Sequence, residues 1–360
     1  LSVPAAFPLL PGSTIGIVGG GQLGRMLALA AARLGLRIAV LAREAGSPAG
    51  QVSAVEIVGA YDDPAAVARL AALSDVVTFE FENIPAAVLA AVGETPIAPP
   101  AKALAVSQDR VEEKRFLNAH GLPTTPFAAI DAAADIAPAL ARLGAPALLK
   151  TRREGYDGKG QAWIRSAEEA EPAFAAIDQK PAILEAKAAF VRELSVIAAR
   201  GRDGRVAVYP LGENRHEGGI LRTTLAPAVV EASVQHEALR IAETLLAALD
   251  YVGTIGVELF QLADGTLLVN EFAPRVHNTG HWTLDGCEVD QFENHIRAVA
   301  GWPLGPTHAL AKVEMTNLLG DEANGWPGLA ADPAARLWLY GKEAPAPGRK
   351  MGHVNRLKPL

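Results

Sequence analysis

The chain has 360 residues, half of them hydrophobic and a fifth charged, enough apolar material for two or three packed cores without disulfides or structural metals. A formal charge of -7 argues against the broad cationic face that tracks nucleic-acid phosphates. A single cysteine, Cys287, forms neither an internal disulfide nor a thiolate metal cage, and no stretch reaches the roughly 18 uncharged apolar residues that span a bilayer. The expectation is a cytoplasmic protein acting on small molecules, with no nucleic acid and no membrane among its partners.

Residues 1–13 are apolar and proline-rich but lack the basic start and continuous apolar core of a secretory signal, and they read as a loose leader. A strand at 15–18, a helix at 22–34 and a strand at 36–41 follow, then strands near 56–58 and 76–79 around a helix at 64–73. Residues 14–105 therefore read as a Rossmann-like parallel α/β domain. A charged helix over 104–119 ends at Gly121-Leu-Pro123 and acts as a connector. Residues 106–190, with a helix at 132–143 and strands at 147–150, 161–164 and 182–185, form a small α+β lobe. Residues 191–360 form a larger lobe with antiparallel strands from about 193–199 onward, one long helix at 233–249, turns at Arg202-Asp-Gly204 and Asp264-Gly265, and C-terminal strands.

Gly19-Gly-Gly21-Gln-Leu-Gly24 is a Gly-x-Gly-x-x-Gly turn between a strand and a helix, where backbone N–H groups and the helix dipole suit a phosphate. Glu44 lies about twenty residues on, where a dinucleotide fold places its ribose-binding acid, so an NAD-linked oxidoreductase is one reading. Any tight strand-to-helix turn also needs glycine. The other reading has this turn touching a mononucleotide phosphate, with Gln22 as a side-chain donor.

The stretch 253–275 reads as a hairpin. If Asp264-Gly265 is a two-residue turn, Ala263 faces Thr266 and, counting outward, Glu258 faces Glu271. Acids that close destabilise a sheet unless a cation intervenes, and a hard divalent ion takes carboxylate and phosphate oxygens together. Two solvated acids on an exposed strand are the plainer reading, but the large apolar neighbours and the following Ala273-Pro-Arg-Val-His-Asn-Thr-Gly280 loop weigh against it. Upstream, Lys150 ends a strand and leads into Gly155-Tyr-Asp-Gly158-Lys-Gly160-Gln161, either a mobile cationic flap over polyphosphate or a simple hairpin turn.

Together these features resemble the ATP-grasp superfamily, which holds ATP between two α+β lobes. Within it, the 155–161 loop, Glu271-Phe-Ala-Pro-Arg-Val-His-Asn-Thr-Gly-His-Trp282, Tyr340-Gly-Lys-Glu343 and Pro347-Gly-Arg-Lys-Met-Gly-His353 are similar to the 5-(carboxyamino)imidazole ribonucleotide synthases. So are Gly20-Gly-Gln-Leu-Gly-Arg-Met26 and Thr78-Phe-Glu80-Phe-Glu82. The resemblance runs from Thr14 to Asn355. One departure is the end at Leu360, where the family usually carries a further helical segment, as a shortened or trimmed tail would show.

The resemblance implies a carbon–nitrogen ligase that carboxylates 5-aminoimidazole ribonucleotide with bicarbonate and ATP in purine synthesis, through carboxyphosphate. It implies magnesium, with manganese as a substitute, and a homodimer. It places Arg110, Lys150, Gly155, Gly158, Lys159, Gly160, Gln161, Glu185, Lys187, Glu193, Asn270 and Glu271 around ATP, and the metal on Glu258 and Glu271. Arg275, His277 and Asn278 are expected to hold bicarbonate or carboxyphosphate. Tyr156, Asp157, Gln22, Glu80, Lys342 and Arg349 are expected to address the imidazole ribonucleotide, the first two with a catalytic part. A formate-using ligase of the same superfamily is the nearest alternative, and a non-catalytic nucleotide sensor another.

Overall fold

Three sheets carry the chain, each built from the local patterns just described. The structure is a computed structural model and describes residues 6–155 and 160–360. In the N-terminal part, β1 (Thr14–Val18), β2 (Arg37–Ala42), β3 (Val55–Val58) and β4 (Val76–Phe79) lie parallel in the order β3-β2-β1-β4, with α1 (Gln22–Arg33) and α2 (Pro64–Ala72) as crossovers. Residues 15–18 of β1 and all four of β4 are buried, as a parallel sheet covered by helices on both faces requires.

The charged segment expected as one helix is two, α3 (Ala101–Ser107) and α4 (Arg110–Ala119). The Asp109 carboxylate accepts the N–H groups of Val111 (3.0 Å) and Glu112 (3.3 Å), so a fresh helix starts at Arg110. That break sets Arg110 at the head of α4, facing the cleft described below.

A second sheet contains β5 (Phe127–Ile130), β6 (Ala147–Thr151), β7 (Gln161–Ile164) and β8 (Ala182–Ala186), ordered β5-β8-β6-β7 and antiparallel. With α5 (Ile136–Leu143) and α6 (Ala170–Ala176) it encloses its own core of Ile130, Leu149, Phe174 and Leu184. The helix expected to begin at 132 opens as a 3-10 turn over Ala133–Asp135, because the Asp135 carboxylate bends back to accept the Asp131 and Ala132 N–H groups.

The third sheet is antiparallel and nine-stranded: β9 (Phe190–Arg200), β10 (Val206–Val208), β11 (Gly212–Glu217), β12 (Ile220–Ala226), β13 (Gly253–Leu262), β14 (Leu267–Ala273), β15 (Lys312–Leu319), β16 (Ala335–Leu339) and β17 (Lys350–Lys358). Its order is β14-β13-β9-β11-β12-β15-β17-β16, with β10 paired to β9. The helix α7 (Ala232–Ala248) covers Val196, Ala198, Ile255 and Val257. After the single turn α8 (Thr283–Gly286), α9 (Gln291–Ala300) packs on β13 and β9 and also on α1, so Phe292, Ile296 and Val299 share one core with Ile15 and Leu27. A last short helix, α10 (Trp326–Ala331), lies beside β16.

The expected loose leader is not loose over residues 6–13. The Leu9 N–H donates to Ala300 O (2.8 Å), Leu9 O accepts from the Trp302 indole (2.7 Å), and the Arg202 guanidinium lies 3.6 Å over the Phe7 ring. Buried Leu9 and half-buried Phe7 seal the end of α9, so burial of apolar surface ties this segment down. Residues 1–5 lie outside the described residues.

Candidate active site

A cavity of about 410 Å³ opens where the second and third sheets meet the start of α1. Of the residues singled out in the sequence, Gln22, Arg110, Lys150, Gly155, Gly160, Gln161, Glu193, Glu258, Asn270, Glu271, Arg275, His277 and Asn278 line it.

Glu258 on β13 and Glu271 on β14 are direct cross-strand partners, though not by the expected route. The hairpin has a three-residue loop, 263–265. Leu262 N–H donates to Thr266 O (2.8 Å) and Gly265 N–H to Leu262 O (3.0 Å), with Gly265 at φ 88°. The pairing near the turn is therefore shifted by one, with Gln261 facing Leu267 and Leu259 facing Val269, until a bulge that leaves out Asn270 takes the shift back. The bulge turns the Asn270 amide toward Glu258 Oε2 (3.5 Å).

The two acids differ electrostatically. Burial, followed by the charge of Glu271, pushes the Glu258 carboxyl up from the ordinary range. Glu271 is held below it, because the Arg110 guanidinium, with Nη1 at 2.6 Å from Oε2, outweighs the opposing effect of burial. Arg110 Nη2 also donates to Gly155 O (3.0 Å) and so anchors the start of the glycine loop. Lys150 reaches the buried Glu185 at 3.1 Å, and Lys114 approaches it at 3.7 Å. Glu185 thus underlies the cleft wall as the partner of two lysines. Lys114 was missed in the sequence, although it lies one turn from Arg110 on the same helix face.

Beyond Glu193, whose Oε2 lies 2.6 Å from His216 Nδ1, Phe190 and Phe260 stack at 4.5 Å with their planes 7° apart. Both line the cleft and make a flat apolar wall of the kind that accepts a planar base. In the sequence they look like ordinary strand residues. Lys187 is exposed on the connection between β8 and β9, so its side chain does not line the cavity.

The loop after β14 carries Arg275, His277 and Asn278. Arg275 grips Glu82 with Nε (2.5 Å) and Nη2 (2.7 Å), a two-point clamp to the end of the parallel sheet. Glu82, a motif residue with no role legible in the sequence, is the partner of Arg275. His277 is pushed down to about 3 by burial and the nearby Arg275, so it is neutral. Its Nδ1 meets Thr279 Oγ1 at 2.8 Å, and its Nε2 lies 3.8 Å from Glu258.

Backbone N–H groups of the first glycine turn are taken by a side chain of the protein itself. The buried Glu80 carboxylate accepts the N–H groups of Gly21 (2.5 Å) and Gly24 (2.9 Å) at the head of α1. A Cβ at Gly21 would lie 2.7 Å from Glu80 Oε1, and Gly19 has φ 121°, so glycine is required by a side chain from the same protein. The donors that would cradle a dinucleotide pyrophosphate are taken, which removes the structural basis of the NAD reading. Glu80, which the resemblance expects to touch substrate, braces the turn that carries Gln22. Glu44, Lys342 and Arg349 line a separate cavity of about 300 Å³ with Gly20, Arg43 and Tyr61. There Arg349 Nη1 donates to Ala344 O (2.6 Å) and Lys342 Nζ to Lys350 O (2.7 Å). Tyr156, Asp157, Gly158 and Lys159 lie outside the described residues.

Comparison with known proteins agrees with this geometry. The chain matches the ribonucleotide synthetase preATP-grasp domain over residues 13–108, the ATP-grasp domain over 115–292 and the phosphoribosylaminoimidazole carboxylase C-terminal domain over 314–359. It is 53% identical to the N5-carboxyaminoimidazole ribonucleotide synthase of Brucella melitensis over 98% of each chain, and 42% identical to that of Bacillus subtilis over 97% of this chain and 93% of the other. Among solved structures, an ADP complex of an N5-carboxyaminoimidazole ribonucleotide synthetase superposes with a TM-score of 0.94 at 42% identity, covering 97% of this chain and 93% of that one. The Aspergillus clavatus enzyme in complex with ADP and 5-aminoimidazole ribonucleotide gives 0.92 at 33% identity, covering 97% and 94%. With 53% identity over 98% of each chain, and with matches to the preATP-grasp, ATP-grasp and C-terminal domains in order, this chain belongs to the N5-carboxyaminoimidazole ribonucleotide synthase family of the ATP-grasp superfamily.

Proposed function

We propose that the protein carboxylates 5-aminoimidazole ribonucleotide with bicarbonate at the expense of ATP, yielding N5-carboxyaminoimidazole ribonucleotide, ADP and phosphate in purine synthesis. The observation that carries the reading is one cleft in which the Arg110, Lys150, Glu258 and Glu271 set meets the Arg275, His277 and Asn278 loop.

In this cleft ATP lies with its base against Phe190 and Phe260, its ribose near Glu193 and its phosphates toward Lys150 and Arg110. A bicarbonate oxygen held by the 275–278 loop attacks the terminal phosphorus, the bond to ADP breaks, and ADP leaves with the electron pair. The amine of the imidazole ribonucleotide then takes the carbon of the resulting carboxyphosphate, and phosphate departs with the C–O electron pair and takes up the proton that the nitrogen gives up. Such a transfer depends on positioning and charge more than on covalent help, and neutral His277 offers its imidazole N–H to the reacting anion. Gln22, with Lys342 and Arg349 across the glycine turn, addresses the nucleotide substrate.

The donor set fits a divalent cation. Glu258 and Glu271 face each other with the Asn270 amide beside them, and Glu258 is pushed up by burial first and by the charge of Glu271 second, a burden of buried like charge that a dication relieves. Magnesium held there, or manganese in its place, supplies charge neutralisation at the phosphates. The active form is proposed to be a cytoplasmic homodimer, testable by sedimentation. No helix among the described residues is long and apolar enough to cross a membrane.

The deciding assay is ADP release with 5-aminoimidazole ribonucleotide, with and without bicarbonate, beside formate and NAD controls. Release that needs both the nucleotide and bicarbonate supports the reading, and release driven equally by formate overturns it.

A further inference from the structure

Every hydrogen-bonding atom of the Asn317 side chain is assigned by its neighbours. Asn317 sits on β15, fully buried. Its Nδ2 donates one hydrogen to Leu221 O (2.8 Å) and the other to Asn278 Oδ1 (2.8 Å), and its Oδ1 accepts from Asn278 Nδ2 (3.0 Å). The Leu221 carbonyl can only accept, so it dictates which end of the Asn317 amide is nitrogen. The head-to-head pair then dictates the Asn278 amide, whose oxygen and one Nδ2 hydrogen both face β15. Asn278 lines the cleft, and among the described residues its second Nδ2 hydrogen meets no acceptor. The cleft therefore receives an N–H donor from Asn278, the polarity an anion requires, where a flipped amide would offer a carbonyl oxygen.

We infer that Asn317 is a positioning residue for the anion-binding loop, holding Asn278 with its donor toward bicarbonate and the carboxyphosphate formed from it. This rests on the assignment of bicarbonate to Arg275, His277 and Asn278 made above. Asn317 does not itself line the cleft. It acts through Asn278, and its own backbone oxygen is braced by Arg222 Nη1 at 3.2 Å.

Asn317→Asp is the near-isosteric test. An aspartate has no hydrogen for Leu221 O or Asn278 Oδ1, so the Asn278 amide turns its N–H groups toward the new carboxylate and its oxygen toward the cleft. The expected result is a bicarbonate KM raised tenfold or more, with the KM values for ATP and the imidazole ribonucleotide changed less than twofold. A merely structural role would move all three KM values together. Asn278→Ala is expected to raise the bicarbonate KM by a similar factor, and adding Asn317→Asp to it should change that KM less than twofold further, because one residue acts through the other. A bicarbonate KM unaffected by Asn278→Ala overturns both the loop assignment and the inference. One raised by Asn278→Ala but not by Asn317→Asp overturns the inference alone. Side-chain amide NMR of the unmodified protein gives a readout independent of how the variants fold. One Asn278 amide hydrogen should exchange slowly and the other fast, and equally fast exchange of both overturns the inference.

Discussion

Glu80→Gln is a direct test of what holds the first glycine turn. In the native turn a buried carboxylate accepts two backbone N–H groups, at 2.5 Å and 2.9 Å. Glutamine keeps one acceptor and points an NH2 group at the other donor. Losing one charge-assisted hydrogen bond costs on the order of 1.5–3 kcal/mol, and a backbone N–H left facing another donor adds on the order of 1 kcal/mol. Against that, burial pushes the Glu80 carboxyl up, so the neutral amide recovers some desolvation, on the order of 1 kcal/mol. The hydrogen-bond loss wins, leaving a net local destabilisation of about 2 kcal/mol, or a factor of about 30 in the opening equilibrium. Hydrogen exchange of the peptide spanning residues 19–28 should therefore run about 30 times faster at Gly21 and Gly24 in the variant, with peptides from the nine-stranded sheet unchanged. A change below twofold at those two amides would refute the view that Glu80 fills the turn.

Glu271→Ala removes the partner of Arg110 and one of the paired acids, and turnover is expected to fall by about a thousandfold with the far-ultraviolet circular dichroism unchanged. Undiminished ATP hydrolysis would discard its place at the phosphates. Arg349→Ala should weaken binding of the imidazole ribonucleotide much more than binding of ATP, and equal losses by calorimetry would count against its assignment. Burial holds His295 and His353 neutral and pushes each down to about 3. The folded values lie below the unfolded one near 6.5, so their contribution is complete above that pH and is lost as pH falls from about 6.5 toward 3. The loss approaches about 1.4 kcal/mol per pH unit for each histidine. Urea midpoints that stay flat between pH 6.5 and pH 4 would contradict this.

Much of the architecture was legible because local patterns and tertiary packing agree. The apolar runs of β1 and β4 announce a sheet buried on both faces, and Asp264-Gly265 announces a hairpin. The two glutamates meet as expected, yet through two departures that cancel, a longer loop and the bulge at Asn270. Counting along one hairpin detects neither, since a bulge is stabilised by what surrounds it. The residues missed share a physical cause. Glu82 matters through Arg275, Asn317 through Asn278 and Lys114 through Glu185, each pair joined only when distant elements pack together. The bracing part of Glu80 was not legible because a carboxylate far along the chain from a phosphate-like turn is not seen to accept its N–H groups until the two segments pack together. Residues 6–13 misled because a proline-rich apolar start carries no periodicity, although Leu9 and Phe7 have a surface to cover.

The cancelling irregularities in the hairpin separate its tip from its base. Because Asn270 absorbs the offset, a crossing strand pair can gain or lose a residue at its outer end without rotating the carboxylates out of the cleft. The 263–265 turn, exposed at Ala263 and Asp264, is thus a place where the chain can be lengthened, labelled or fused to a reporter while Glu258 and Glu271 keep their alignment.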